Sequence, residues 1–336
     1  MTTTNKSEDE VADMNKCRNF VKDFFMKKRT GGNSLNEVED NCCANCGKAK
    51  LEGTKLTRHS CDYYNLNHWY CSVECQQIHR EAHEAIYNIA MARLLRDKIL
   101  FKQPESSHLG DCPICCLPIP FHGDLHIMFH CCCKIMCTGC FLADYSQLGK
   151  GRSKHKCPFC RKIVASNEDD ELERLQKRME ANDSAAICHL AQGFFKRGDY
   201  SNAFKYLSKS AELGYAGAHY IISFMYESGS GVERDEKKRI FHLEEAAIGG
   251  NPEARFKIGI DDMKNEKYGR GVKHFIIAAN QGHDQALQML KGLYTKGKGL
   301  ISKADLAAAL RAHHDAVCAM KSDNREKAIK ILQLEK

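Results

Sequence analysis

The stretch FHCCCKIMCTGC, residues 129–140, places five cysteines in twelve positions. The chain has 336 residues, enough for two or three domains with ordinary apolar cores, so packing gives no reason to crowd thiols this tightly. In a reducing compartment, clustered thiols are more often metal ligands than disulfides. The stretch therefore predicts that bound metal shapes this part of the chain.

Composition narrows the class of protein. Of 19 cysteines, 16 lie between Cys42 and Cys160, while the net charge of +7 is mild and spread over the length. Nucleic-acid binders usually concentrate basic residues on one stripe, so partners of that class are not expected, although a short basic loop runs from Lys150 to Lys156. The amino terminus has no apolar run, and no stretch is long enough to span a membrane. We expect a cytoplasmic or nuclear protein.

The region around the opening stretch contains three C-x2-C pairs, each able to offer two thiolates to one side of a metal ion. They are Cys112 with Cys115, Cys137 with Cys140, and Cys157 with Cys160. Zinc takes four such ligands, so the middle pair combines with one of the outer pairs. The remaining outer pair needs two further ligands from the residues just before Cys137. The block predicts two zinc ions.

The order of these pairs resembles the RING finger, in which two zinc sites interleave along the chain. The resemblance implies one site from the first and third pairs and a second from the fourth pair and the residues before Cys137. The implied ligand sets are Cys112, Cys115, Cys137 and Cys140, and Cys131, Cys132, Cys157 and Cys160. Lys134 stands where most RING fingers have a histidine. His130 is the alternative to Cys131, and Cys116 and Cys133 are spare thiols.

RING fingers mostly act as ubiquitin ligases that bind a ubiquitin-conjugating enzyme through a shallow apolar groove. The residues that match the contact positions are Ile114, Leu142, Pro158 and Arg161. A guanidinium suits the last position because it can donate to two carbonyls at once. The sequence FLADYSQ departs from the family by lacking the frequent tryptophan. The resemblance therefore implies a ubiquitin ligase; the alternative is a non-catalytic adaptor that only joins proteins.

An earlier cysteine block, CCANCGK (42–48) with WYCSVECQQIHREAH (69–83), resembles the MYND finger, another two-zinc module. The resemblance implies a first site of Cys43, Cys46, Cys71 and Cys75, and a second that includes Cys61 and His83. Tyr64 and Tyr87 replace cysteines of the family, and candidate substitutes are His59, His68 and His79. The whole chain would then hold three or four zinc ions. The family's preference implies a short peptide as partner.

Downstream, the sequence repeats itself. Four alanines spaced 32, 36 and 32 residues apart are each followed four positions later by leucine or isoleucine: Ala186, Ala218, Ala254 and Ala286. This period predicts stacked helix pairs. The stretch YESGSGVERDEKKRIFHLEEAAIGG (226–250) resembles the Sel-one-like repeat family, a relative of tetratricopeptide repeats. Unit three departs from it, with Asp262 where an aromatic is usual. The resemblance implies a scaffold that binds a protein substrate or partner.

The expected fold is multidomain, with two small zinc-stabilised α+β fingers followed by an all-α helical-repeat solenoid. The expected segments are a disordered lead (1–41), a MYND-like finger (42–87), a helical linker (88–104), a RING-type finger (105–165), a charged helical connector (166–182), four Sel-one-like repeats (183–318) and a C-terminal helix or tail (319–336).

Overall fold

A computed structural model of the chain describes residues 57–61, 66–70, 73–121, 125–146, 155–165, 167–297 and 299–334. They belong to two compact units divided between Ile99 and Leu100. The first unit contains an antiparallel hairpin of β1 (Thr57–Cys61) and β2 (Leu66–Tyr70). Helix α1 (Val73–Leu100) follows, where apolar spacing predicts a helix from Gln76 to Phe101. The expected disordered lead lies outside the described residues.

The second unit begins with a small finger built on few regular elements. Strands β3 (His126–Met128) and β4 (Ile135–Cys137) pair antiparallel and lead into helix α2 (Thr138–Ser146). The apolar centre is small, with Phe129 only 4% exposed and its ring 5.8 Å from that of Phe159. An apolar core this small does not stabilise a segment of this size by itself, so bound metal is expected to contribute to the stability of its fold.

Helices make up the rest of the second unit. The charged connector forms α3 (Glu168–Glu180), capped by Asn167, whose side-chain oxygen accepts from the backbone N–H of Asp170. The helices that follow are α4 (Ser184–Lys196), α5 (Tyr200–Glu212), α6 (Ala216–Ser228), α7 (Glu236–Ile248), α8 (Pro252–Lys264), α9 (Tyr268–Asn280), α10 (Asp284–Thr295), α11 (Lys303–Ala319) and α12 (Asp323–Leu334). No helix among the described residues is long and apolar enough to cross a bilayer.

The residues that reveal the repeat also form its core. All four repeated alanines are fully buried where successive helices cross. Three short stretches rich in small residues, SAELG (210–214), AAIGG (246–250) and AANQG (278–282), end at glycines. The φ angles of Gly214, Gly250 and Gly282 are +81°, +86° and +87°, in the left-handed region that favours glycine. Each glycine thus closes one helix and turns the chain into the next. The C-terminal half is a helical solenoid.

The third repeat departs from the repeat pattern at Asp262, where an aromatic side chain is usual, and the structure shows which contacts Asp262 makes instead. Asp262 is 7% exposed and accepts from the Arg270 guanidinium at 3.3 Å. Lys267 lies 3.9 Å from the same carboxylate. Charge pairing therefore takes the place of apolar packing at this position.

Within the second unit, the finger packs against the helices. Helix α12 returns from the end of the solenoid to the finger, and the Arg325 guanidinium donates to the carbonyl oxygen of Pro118 at 2.8 Å. At the other end of the solenoid, Arg174 of α3 donates to the carbonyl of Ile163. The finger therefore packs within the scaffold that follows it in sequence.

Candidate metal centre

The first cysteine cluster joins the first and third C-x2-C pairs. The sulfur atoms of Cys112, Cys115, Cys137 and Cys140 all lie within 4.8 Å of one another. The Sγ atoms of Cys115 and Cys137 are 3.8 Å apart. Four sulfurs on a tetrahedral zinc ion with bonds of about 2.3 Å are about 3.8 Å apart. The cluster therefore has the dimensions of a four-thiolate zinc site.

The second cluster joins the fourth pair to adjacent cysteines of the opening stretch. The sulfurs of Cys131, Cys132, Cys157 and Cys160 also lie within 4.8 Å of one another. The Sγ atoms of Cys132 and Cys157 are 3.7 Å apart, and those of Cys131 and Cys160 are 3.3 Å apart. The two clusters interleave along the chain, because a pair belonging to one always separates pairs belonging to the other. Both could bind zinc.

Electrostatics explains why such clusters call for a cation. Burial acts to raise the pKa of Cys112, but hydrogen bonds from the backbone N–H groups of Cys115, Cys137 and Ile114 outweigh it and bring the pKa to about 7. Burial raises the pKa of Cys140 and Cys131 far above the ordinary value, and the neighbouring sulfurs raise it further. Four thiolates this close repel one another unless a divalent ion compensates their charge.

The two spare thiols of the finger follow directly after cluster residues. Cys116 follows Cys115 with φ +53°, and Cys133 follows Cys132 with φ +54°. Their backbone N–H groups donate to the carbonyls of Cys112 at 2.8 Å and Phe129 at 2.7 Å, which closes each turn. Burial raises the pKa of Cys133 to about 12, so this thiol stays protonated at neutral pH. Neither residue belongs to a cluster.

His130, the alternative to Cys131, makes different contacts. Its Nε2 lies 3.1 Å from Nε2 of His189 on α4, and its Nδ1 lies 3.4 Å from Oε1 of Glu171 on α3. Burial lowers the pKa of His189 to about 4, so that ring is neutral near pH 7. His130 therefore joins the finger to the first helices of the scaffold and is not part of either cluster.

The four residues expected to contact a conjugating enzyme all lie on the finger. Ile114 is 52% exposed although apolar, and Leu142 and Pro158 are half-buried. Arg161 is exposed and has φ +62°, which places it in the turn after Cys160. An apolar side chain this exposed is available to a partner.

The ligand candidates of the MYND-like finger belong to the N-terminal part of the chain. Cys43, Cys46 and Cys71 lie outside the described residues. The backbone is described at Cys61 in β1 and at Cys75 and His83 in α1, but their side chains lie outside the described part of the chain. The MYND-like ligand sets stay predictions.

Comparison with known protein families identifies the helices between residues 184 and 283. The model described as "Sel1 repeat" matches residues 184–215, 216–251 and 259–283. The solenoid is built from Sel1 repeats. A further helix pair, α10 and α11, continues the packing beyond the third matched segment.

The chain is also similar to curated proteins and solved structures. It is 28% identical over 180 residues to mouse DAP3-binding cell death enhancer 1, covering 42% of this chain and 35% of the relative. The rat protein of that name is 28% identical over 204 residues, covering 49% and 40%. The chain thus spans less than half the length of these relatives.

Among solved structures, a Sel1 repeat protein from Oxalobacter formigenes matches with a TM-score of 0.41 and 24% identity, covering 51% of each chain. The antigen c5321 of uropathogenic Escherichia coli, which displays an SLR fold, matches with a TM-score of 0.37 and 18% identity, covering 52% of this chain and 37% of that one.

Sequence analysis missed one residue beside the first cluster. Arg325 of α12 is 5% exposed and donates from Nη2 to Sγ of Cys115 at 3.3 Å. Nothing in the local sequence signals this role, since DNREKAIKIL is an ordinary helical stretch (323–332). Only the return of the chain from the end of the solenoid brings the guanidinium to the thiols.

Proposed function

We propose that the protein is a zinc-stabilised adaptor that holds other proteins on a Sel1-repeat scaffold. The observation that carries the proposal is the position of both four-cysteine clusters in the same compact unit as the repeats. Metal at such sites would stabilise a finger whose apolar centre is small, and contacts through His130 and Arg325 would transmit that stability to the helices. The zinc serves structure, and the repeats serve binding.

Surface chemistry of the repeats supports a protein partner. Aromatic side chains more than a third exposed occur on several helices of the solenoid: Tyr200, Phe224, Tyr268 and Tyr294. Aromatic residues are enriched among those that dominate protein–protein binding energy. The mammalian relatives are named for binding a protein, DAP3, which agrees with a protein-binding role for the shared region.

Metal content tests the first half of the proposal. The purified chain should contain one zinc for each described cluster, and three or four in all when the N-terminal MYND-like finger is included. Cys115→Ser and Cys160→Ser should each remove one ion, since each takes a ligand from a different cluster. Cys116→Ser is the matched control, because Cys116 lies outside both clusters. A folded chain without zinc would disprove the proposal.

Partner capture tests the second half. The tagged chain should retain a reproducible set of proteins, and Tyr268→Ala combined with Tyr294→Ala should lose them without changing the melting temperature. Tyr145→Ala is the matched control, since Tyr145 is 57% exposed but lies on the finger. If the double variant keeps the same proteins as the unaltered chain, this surface of the repeats is not the binding surface.

A ubiquitin ligase is the second candidate function, favoured by the interleaved clusters and the exposed Ile114. The finger would bind a ubiquitin-conjugating enzyme through Ile114, Leu142, Pro158 and Arg161, and the repeats would hold the substrate. Autoubiquitination by the full chain, tested with a panel of conjugating enzymes, should then be abolished by Ile114→Ala at unchanged zinc content. If no conjugating enzyme of the panel supports activity, the ligase function is ruled out and the adaptor function is the one that remains.

The MYND-like finger would add one or two zinc ions and bind a short peptide. The twelve cysteines whose side chains the structure describes are free thiols, which suits the cytoplasm or nucleus, where thiols stay reduced.

A further inference from the structure

Arg325 on α12 makes four hydrogen bonds through its two terminal nitrogens, while its buried Nε has no partner among the described residues. Its Nη2 donates to Sγ of Cys115 at 3.3 Å and to the carbonyl of Leu117 at 3.2 Å. Its Nη1 donates to the carbonyls of Pro118 and Met320, both at 2.8 Å. With 5% of the residue exposed, this guanidinium is held almost out of water against the first cysteine cluster.

A second observation places the backbone of α12 against the same cluster. Gly139 lies between the cluster residues Cys137 and Cys140. A Cβ at Gly139 would lie 2.6 Å from the backbone nitrogen of Arg325 and 2.8 Å from the carbonyl carbon of Asn324. No side chain fits between the third C-x2-C pair and the first turn of α12, so the two backbones are in direct contact.

The opposite charges of the guanidinium and the thiolates make this contact favourable. Four thiolates around one divalent ion carry a net charge of −2, and such a site is stabilised by nearby donors and cations. A buried guanidinium, in turn, needs an anionic partner, because leaving one member of a buried charge pair alone is strongly unfavourable. Arg325 and the thiolates of the first cluster therefore stabilise each other.

We infer that Arg325 is a positioning residue for metal at the first cluster and that the seating of α12 depends on that metal. The inference rests on the proposed function, since it takes the cluster to hold zinc. By thermodynamic linkage the dependence is mutual: unseating α12 weakens metal retention, and removing the metal loosens α12 by the same free energy.

Loosening α12 would change the surface of the molecule. The helix closes one side of a cavity of about 290 Å³ between the finger and the last helices of the solenoid. Apolar residues from both sides line it, including Pro120, Val317, Met320, Ala328 and Ile329. Ala328 is 1% exposed with the helix in place. When the first cluster loses its metal, α12 loosens, and the apolar residues that line the cavity become exposed to solvent.

The first test measures zinc release from the full chain to an excess of a chromogenic chelator. Arg325→Met keeps much of the aliphatic volume but removes the charge, and it should speed release from one cluster about tenfold, within the range found for residues that support metal ligands. Arg325→Lys should fall between this variant and the unaltered chain. The matched control is Arg311→Met on α11, where the arginine is exposed. Comparison with Cys115→Ser, which lacks the first ion, identifies the affected cluster.

The second test measures hydrogen exchange in residues 323–334 with and without chelator. Exchange should rise when zinc is removed, and Gly139→Ala should raise it with zinc present, because the added methyl group pushes α12 away without altering charge. Gly139→Ala should also speed zinc release. This variant keeps the inference testable if Arg325→Met does not fold.

The outcomes separate this inference from the proposed function. A folded, unaltered chain that contains no zinc would disprove both. Zinc present at full content, but released at equal rates by the unaltered chain, Arg325→Met and Gly139→Ala, would overturn the coupling alone. Equal hydrogen-exchange rates in residues 323–334 with and without the chelator would also overturn the coupling.

Discussion

Cys116, Cys133 and Arg161 occupy equivalent places in three turns of the finger. Each directly follows a cluster cysteine, and their φ angles are +53°, +54° and +62°. Glycine adopts this left-handed region without steric cost, whereas other residues pay about 1 kcal/mol. Cys116 and Cys133 therefore each contribute a backbone turn and belong to neither cluster.

This gives a prediction that separates turn cysteines from cluster cysteines. Cys116→Gly should keep the zinc content and raise the free energy of unfolding by up to about 1 kcal/mol, because it relieves the left-handed backbone. Cys115→Ser, one residue away, should lose one zinc ion and destabilise the finger. Urea unfolding with parallel zinc analysis measures both. A loss of zinc in Cys116→Gly would show that this thiol is a ligand after all.

The burial of His274 makes the stability of the fold depend on pH. It is fully buried on α9, facing Asp262 at 3.7 Å and also Arg255, Arg270 and the ring of Phe101. Burial, with the two arginines, lowers its pKa from 6.5 to about 3. Between these values the unfolded chain binds a proton that the folded chain does not, so stability falls as the pH drops below 6.5.

The expected contribution of His274 is a loss of about 1 kcal/mol between pH 6.5 and 5.5, which approaches about 1.4 kcal/mol for each further pH unit. Urea unfolding of the zinc-saturated chain at pH 6.5 and 5.5 measures it. His274→Gln should be less stable at both pH values but should lose about 1 kcal/mol less on acidification than the unaltered chain, because the unfolded histidine is already half protonated at pH 6.5. Parallel pH profiles for the two proteins would contradict the prediction.

At the scale of elements, the end of α1 and the residues that follow it pack along the repeats. Leu100 is fully buried, and its carbonyl accepts from the buried guanidinium of Arg255 on α8. The side chain of Gln103 donates to the carbonyl of Ile277 at 3.4 Å and accepts from Asn280 at 3.2 Å. The end of the expected helical linker (88–104) thus contributes a buried residue to the core of the second unit.

Leu100→Ala should therefore destabilise the second unit by about 2–4 kcal/mol, since it removes a buried side chain and leaves a cavity. Ile99→Ala is the matched control, because Ile99 precedes it in the same helix and is 55% exposed. That variant should change the free energy of unfolding by less than about 0.5 kcal/mol. Equal effects in the two variants would show that Leu100 is not bound to the repeats in solution.

At the scale of the whole molecule, the features that sequence analysis found are local ones. The repeats show themselves because Ala218 and Ile222 share one helix face, and the C-x2-C pairs because both thiols sit on one turn. The contacts that integrate the molecule are distant in sequence: Arg325 and Pro118 are 207 residues apart. No periodicity or spacing encodes such a contact, so the sequence predicts separate domains where the second unit is one body.

That integration makes its own prediction about metal removal. If zinc binds the described clusters, stripping it should cost about 4 kcal/mol or more, which corresponds to a fall in Tm of about 10 °C for a unit of this size. Because Arg325, His130 and Arg174 tie the finger to the helices, the fall should appear in the helical signal of far-UV circular dichroism, in one transition. A variant with Cys115→Ser and Cys157→Ser should melt low with or without chelator. Helices that melt at the same temperature after zinc is stripped would mean that the finger and the repeats fold independently, whatever their contacts.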